Sequence, residues 1–349
     1  MTKQSRRGSR RVTISDVAKR AGVSSMTVSR VINQDPRVTD KTRAAIQAAV
    51  AELKYTPNPV ARRLAKSDGF RIGLLYSNPS AAYLSELLLG ALDESSKTGH
   101  QLVVEKCGAT PAAEKAALDK LLQGGVAGVI LPPPLCEARL VLDQLRQFGI
   151  AAVAVAPGMP SGEFPTVRMD NHKAAYEMTE RLLALGHRNI AFIKGHPNQS
   201  VSGIRLQGFR EALRRAGMDP ATVRVEQGHF SYRSGLLAAE RLLAQTPRPS
   251  AIFAANDDMA AAAIAVAHRL GIKVPEQLSI CGFDDTLIAS TLWPALTTVH
   301  QPIAAMGRAA VGLLLDEMQR NGETRQQPPR QLLLRHRLVL RDSTAAPAP

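Results

Sequence analysis

Cysteine is scarce in this 349-residue chain: Cys107, Cys136 and Cys281 are odd in number and far apart. That excludes a disulfide framework, and without CxxC or Cys/His spacing it gives no zinc site. Three buried, reduced thiols are expected, with no metal and no cofactor. Long hydrophobic runs are lacking too. None approaches the roughly 20 residues that a membrane-spanning helix needs. The basic N-terminus is not followed by the apolar stretch of roughly 7–15 residues that marks a secretory signal. The expected location is therefore the cytoplasm, in association with the nucleoid. Catalytic signatures are missing as well: no GxSxG, HExxH, Walker loop or strand-following GxGxxG occurs. Asp257/Asp258 and Asp284/Asp285 are adjacent pairs, and neighbouring side chains at a strand end diverge. They are not a pair of hydrolytic carboxylates, and the chain is expected not to be an enzyme.

What is present is size, an apolar fraction of 45% and a net charge of +14. The length suggests two or three domains, and the apolar content can build a packed core. Ten of the fourteen net charges fall in residues 1–70, which hold 15 Lys/Arg against 5 Asp/Glu. Such asymmetry points to a polyanionic partner.

The stretch "TISDVAKRAGVSSMTVSRVIN", Thr13 to Asn33, explains that asymmetry. Thr13 reads as an N-cap with Asp16 three residues on. Ile14, Val17, Ala18 and Ala21 follow at helical spacing, and Gly22 ends the helix. Ser24 caps a second helix with Val28, Val31 and Ile32 inward. A third pattern runs from Thr39 to about Lys54, with Ile46, Val50 and Leu53 on one face. Two helices joined by a short Gly-containing turn make a helix-turn-helix. A plain helical bundle would not need the polar face of the second helix: Ser24, Ser25, Met26, Thr27, Ser29, Arg30 and Asn33. Apart from Met26, which can touch a thymine methyl, these groups suit hydrogen bonds to phosphates and base edges.

Next comes "YTPNPVARRLAKSDG", where Pro57 and Pro59 forbid a continuous helix. A basic scrap from Val60 to Lys66 follows, too short to be stable alone. Arg62, Arg63 and Lys66 surround one bare leucine, Leu64. A basic scrap with an apolar wedge fits a minor-groove element that folds on DNA.

From Arg71 onward, apolar strand candidates such as "RIGLLYS", "VAGVILP", "NIAFIKG" and "AIFAAND" alternate with helical stretches. Alternation of this kind argues for parallel sheets covered by helices. Eight or more units are too many for one small sheet, so two α/β subdomains are expected. Ligands of open α/β sheets bind beyond the carboxyl ends of the strands. Asn256, Asp257, Asp284 and Asp285 end two such strands, and Arg205 follows a third. Asp and Arg facing one another suit a polyhydroxyl ligand, and Phe230 could stack on an apolar sugar face.

The motifs "DVAKRAGVSSMTVSRVIN", "YTPNPVARRL", "ALGHRNIAFIKG", "RLQGF", "NDDMA", "GFDDT" and "PALTTVHQP" occur in this order. On them the chain resembles the LacI/GalR family of bacterial transcription regulators, from about Val12 to Arg341. The resemblance implies an all-α helix-turn-helix headpiece and an α/β type I periplasmic-binding-protein-like domain whose chain crosses three times between subdomains. The division it implies is a disordered basic arm at 1–11, a headpiece at 12–57, a hinge helix and linker at 58–70, an effector-binding and dimerisation domain at 71–341, and a disordered tail at 342–349. The DNA-facing set is then Thr13, Ser24, Ser25, Met26, Thr27, Ser29, Arg30, Asn33, Tyr55, Asn58, Ala61 and Leu64. Val60 would meet a second hinge in a homodimer on a palindromic operator. The short tail has no heptad leucines, which favours a dimer over a tetramer.

For the effector the resemblance points to Arg205 as clamp, Asp284 as acceptor, Phe230 as aromatic platform and Asn256 as cleft amide. Ser80 and Tyr83 come from the first cleft loop. Each could instead be a structural cap or a loop ion pair, and Asp257 and Asp285 read as helix-start caps or subdomain-interface groups. Several sugar-responsive members have an acidic residue where this chain has Ala156, which leaves the effector's identity open. The function implied is a ligand-responsive repressor of carbohydrate genes released by a sugar-like inducer. A corepressor-dependent, purine-type repressor is the alternative, and a free sugar-binding protein of a transport system is a more distant one.

Overall fold

The computed structural model describes residues 14–32, 38–53, 69–320 and 327–348. It divides into two compact units, 1–70 and 71–349. The expected basic arm and most of the hinge lie outside the described residues, as do Thr13, Asn33, Tyr55, Asn58, Val60, Ala61 and Leu64.

The first unit contains α1 (Ile14–Ala21), α2 (Ser25–Ile32) and α3 (Asp40–Glu52). Gly22 takes φ +66° between α1 and α2, a left-handed conformation that glycine adopts at little cost. The Ser24 hydroxyl accepts from Thr27 N at 3.2 Å and starts α2. Val17, Ala18, Val28, Val31, Ile46 and Ala49 close one small core, with Val50 and Leu53 partly buried against it. Arg20 pairs with Glu52 at 2.7 Å on the surface, a contact of at most about 1 kcal/mol.

The second unit alternates strand and helix. In chain order it runs β1 (Arg71–Tyr76), α4 (Ala81–Lys97), β2 (Gln101–Lys106), α5 (Pro111–Gln123), β3 (Gly128–Leu131), a 3₁₀ turn (Leu135–Glu137), α6 (Arg139–Phe148), β4 (Ala151–Val155) and β5 (Thr166–Met169). Then come α7 (Asn171–Ala184), β6 (Ile190–Lys194), α8 (Ser200–Arg215), β7 (Val225–Gln227), α9 (Tyr232–Leu243), β8 (Ala251–Ala254), α10 (Asp257–Arg269) and β9 (Ser279–Cys281). It ends with α11 (Leu287–Thr291), β10 (Thr298–His300), α12 (Ile303–Gln319), β11 (Gln331–Leu334) and β12 (Arg337–Val339).

One sheet has the order β11-β5-β4-β3-β1-β2, the other β7-β6-β8-β9, and every pairing in both is parallel. An antiparallel ribbon of β10 and β12 lies beside the second sheet. The chain crosses between the sheets after β5, after β10 and after β11, three times, as the resemblance implies. Central strands such as β3 and β8 are buried along their whole length, which is why they read as unbroken apolar runs. Phe192, Phe209 and Phe253 form the centre of the second core, with ring centroids 5.0 and 5.2 Å from Phe192. In the first subdomain α4 and α12 pack so closely that a Cβ on Gly90 would lie 2.0 Å from the Ala304 carbonyl oxygen. Only glycine fits that crossing.

The expected disorder of the tail is corrected. Residues 342–348 dock on the second subdomain. Ile280 N donates to the Ser343 carbonyl at 2.8 Å, and the Ser343 hydroxyl donates to Ile280 O at 2.6 Å while accepting from Thr297 N. Ala345 N donates to the Ser279 hydroxyl, and its carbonyl accepts from His187 Nε2 at 2.9 Å. A composition rich in Ala and Pro gave no hint of this, because the tail is held by its backbone and the hydroxyls of Ser343 and Thr344. The three cysteines are free and buried. Among the described residues no helix is long and apolar enough to cross a membrane.

Candidate functional site

A narrow cavity of about 30 Å³ lies between the carboxyl ends of the two sheets. All six residues expected to hold an effector line it: Ser80, Tyr83, Arg205, Phe230, Asn256 and Asp284. They come from the loops and first helical turns that follow β1, β6, β7, β8 and β9, as the strand-end rule requires. Asn78, Pro133, Ala156, Gln199, Val201 and Gln301 complete the wall. Of these, Val201 sits one helical turn before Arg205 on α8, so i, i+4 spacing could have found it. Gln301 follows β10, a strand that is too short to read from sequence.

Arg205 is buried at the centre. Its Nε donates to Asn171 Oδ1 at 2.9 Å, Nη1 to the Ala255 carbonyl at 2.5 Å and Nη2 to Gln301 Oε1 at 3.0 Å. Asp284 Oδ1 lies 3.7 Å from Nη1, and the guanidinium carbon sits 3.5 Å from the Phe283 ring centroid and 5.8 Å from that of Phe230. Burial pushes the Asp284 carboxyl well up, an effect that Arg205 opposes and Asp257 reinforces. Burial likewise pushes the Tyr83 phenol up, so it is a neutral donor at pH 7.

Two polar atoms of the wall, Tyr83 OH and Gln199 Nε2, are buried without a hydrogen-bond partner. Groups of that kind are uncommon and mark a place where a ligand can satisfy them. The backbone tells the same story. Ala156, Phe230 and Asp284 hold φ of 50°, 58° and 115°, and Asp285 holds 60°. Non-glycine residues in such conformations cost about 1–3 kcal/mol each and gather at functional sites.

The capping reading is true of two of the six in addition to their place in the wall. Ser80 caps α4, accepting from Tyr83 N, and donates to Asp258 Oδ2 at 2.7 Å. Asn256 caps α10 through Met259 N and donates to the Phe230 carbonyl. Asp257 and Asp285 face away from the cavity. Asp257 accepts from Thr286 N at 2.8 Å and from the Thr298 hydroxyl at 2.6 Å, while Asp285 pairs with Arg341 and His300.

In the helical unit, α2 presents Ser24, Ser25, Met26 and Arg30 outward, with Met26 66% exposed. Thr27 is half-buried and bonds to Ser24. Ser29 lies on α2, but its side chain is outside the described part. An exposed thioether beside serines and an arginine is an unusual helix face for a protein that leaves it bare to water, and a natural one for contact with a DNA groove.

Two family models match: bacterial regulatory proteins of the lacI family over residues 13–58, and the periplasmic binding protein-like domain over residues 179–344. The HTH-type transcriptional repressor PurR of Erwinia tasmaniensis is 36% identical over 307 residues, 88% of this chain and 90% of that protein. A complex of the transcriptional regulator CelR with cellobiose has TM-score 0.72 and 33% identity, covering 95% of this chain and all of that one. The lac repressor dimer bound to operator and the anti-inducer ONPF has TM-score 0.70 and 30% identity, covering 97% and 100%.

Proposed function

This chain belongs to the lacI family of bacterial regulatory proteins, and from that premise we propose a dimeric repressor released from its operator by a neutral, hydroxyl-rich ligand of the saccharide class. The observation that carries the ligand reading is the charge balance of the cavity. Among its lining residues Arg205 is the lone cation. Its guanidinium already serves Asn171, Ala255 and Gln301, beside Asp284. A sugar phosphate or acid would bury a negative charge in a wall whose lone cation is already committed, with no free cation to receive it. Hydroxyls offer acceptors to Tyr83 and Gln199 and a donor to Asp284, and Phe230 supplies an apolar face.

The headpiece works through exposed α2. Ser25 and Met26 meet base edges, Arg30 binds a guanine bidentately, and Ser24, Thr27, Ser29 and Asn33 meet phosphates or sugars. Thr13, Tyr55 and Asn58 add backbone contacts. Ala61 and Leu64 enter the minor groove, where Leu64 wedges a base step and Val60 meets its dimer mate. Two half-sites read by two α2 helices make the operator a palindrome in the nucleoid. Effector in the cleft changes the angle between the subdomains and so the relation of the two hinges, an equilibrium shifted by unequal affinity in two states.

A purine-type corepressor is the second reading, favoured by the 36% identity to PurR. One experiment separates them. The full chain is screened by thermal shift against neutral saccharides, sugar phosphates, sugar acids and purines, and each hit is titrated into labelled operator. The reading expects a neutral saccharide that weakens operator binding. A purine that strengthens it establishes the second reading, and a sugar phosphate as the tight ligand overturns the charge argument.

A further inference from the structure

Helix α8 carries Val201 and Arg205 into the cavity, yet it lacks a cap of its own. Its N-cap residue, Gln199, makes no side-chain cap bond, and its amide nitrogen is turned into the cavity wall instead. Three other helices that begin at the cleft carry side-chain caps, Ser80 on α4, Asn256 on α10 and Ser231 on α9, whereas α12, which follows Gln301, starts at Pro302 without one. The first N–H groups of a helix have no intrahelical acceptor and attract negative charge.

That acceptor comes from the other subdomain. Glu137, on the 3₁₀ turn after β3, accepts from Ser200 N at 3.0 Å through Oε2. Its Oε1 accepts from the Ser200 hydroxyl and from Gly158 N at 2.7 Å. Glu137 and Gly158 belong to the first subdomain, Ser200 to the second. Gly158 is pressed so near α8 that a Cβ there would lie 2.0 Å from Ser200 Oγ and 2.7 Å from Ile204 Cδ1. A second link, Ser80 to Asp258, also crosses the cleft, but Ser80 belongs to the cavity wall.

We infer that Glu137 is a cross-cleft latch, a positioning residue that caps the Arg205-bearing helix only while the two subdomains are closed on one another. Opening the cleft strips α8 of its cap and leaves the two Ser200 donors to water, while Glu137 keeps its bond to Gly158 N. Closure and the placement of Arg205 are thereby one event. The inference goes beyond the ligand reading and holds whatever the effector is, because every group in it belongs to this chain.

The test needs no ligand. Exposed Lys106 in the first subdomain and Arg233 in the second are replaced, Lys106→Cys and Arg233→Cys, in the full chain and spin-labelled. The distance distribution is read by pulsed electron resonance, with exchange of the Ser200 and Val201 amides followed by mass spectrometry. Wild type is expected to give a narrow, short distance and slow exchange. Charge-assisted bonds of this kind suggest that Glu137→Ala lowers the closed-to-open ratio roughly tenfold or more. Glu137→Gln, which sets one N–H against a donor, falls between. Gly158→Ala sets a Cβ against Ser200 Oγ and Ile204 Cδ1 and is expected to lengthen the distance with the carboxylate intact; adding Ser200→Gly and Ile204→Ala removes both clashes and keeps the Ser200 N bond, so the distance shortens again towards the wild-type value. A Glu137→Ala distribution identical to wild type overturns the latch, even if exchange at Ser200 quickens, because that pattern is a local cap without closure. A wild-type distribution as broad and long as the variant's overturns it as well. If Glu137→Ala fails to fold, the Gly158→Ala pair decides on the same readout.

Discussion

In the headpiece the informative polar groups point out; in the cleft unit they point in. The α1–α3 core is made of small aliphatic side chains, and the face of α2 with Ser25, Met26 and Arg30 is bare. In the cleft Arg205, Asn256 and Asp284 are buried in the wall of a cavity, at backbone conformations that are themselves strained at Asp284 and Phe230. The difference follows from the partner. DNA is a large polyanion met on an open surface, where long-range charge and a few protruding groups suffice. A small ligand is enclosed, so its partners must be desolvated and fixed beforehand.

The largest expected effect breaks the two regions apart. Removing residues 1–70 should lower operator affinity at least about a thousandfold, the usual gap between specific and non-specific binding, with the steep salt dependence lost as well. Fluorescence anisotropy measures it, and a truncated chain that still binds tightly assigns DNA contacts to the wrong region. Next in size is Phe253→Ala in the second core. It should cost about 3–5 kcal/mol in denaturant unfolding, because Phe192 and Phe209 lose a ring packed against them. The same substitution should leave the headpiece's far-UV helicity in place.

Asp284→Asn sharpens the comparison within the cleft. Losing a charged acceptor should weaken ligand binding by about 1.5–3 kcal/mol, roughly tenfold to a hundredfold, with operator affinity unchanged in the absence of ligand. Arg30→Ala is its mirror in the headpiece: about 1–3 kcal/mol lost on the operator, little on random DNA, none on ligand. Equal losses on both DNAs would make Arg30 a phosphate contact. The smallest effect is in pH. Burial pushes the Asp257 carboxyl up to about 7, and Asp284, Asp258 and Glu86 shift the same way. A raised carboxyl contributes stability below its unfolded pKa that is lost as pH rises through the folded value. Melting temperature should therefore fall by a few degrees between about pH 4 and pH 8, and the slope should flatten in Asp257→Asn.

How much of this was legible in the sequence differs between the regions in the same sense. The headpiece is local. Its helices, the Gly22 turn, the Ser24 cap and the outward face of α2 follow from spacing within 20 residues. The cleft is not local. Strand ends led to Asn256, Asp284 and Arg205, and the family motifs gave these and Phe230 their roles, but the bond from α8 to Glu137 joins residues 63 positions apart. Strands β5, β10, β11 and β12 are three or four residues long, below the length at which alternation carries information. The tail was misread because backbone hydrogen bonds to Ile280 and Ser279 leave no mark on composition.

The central claim is that a ligand between the two sheets controls the headpiece's hold on DNA. Labelled palindromic operator, selected by binding to the full chain, is titrated with the neutral saccharide that most raises the chain's melting temperature. The account predicts that operator affinity falls for wild type and stays constant for Asp284→Asn, and that saturating operator weakens the saccharide by the same factor. Operator affinity that is unmoved in wild type at saturating saccharide would contradict it.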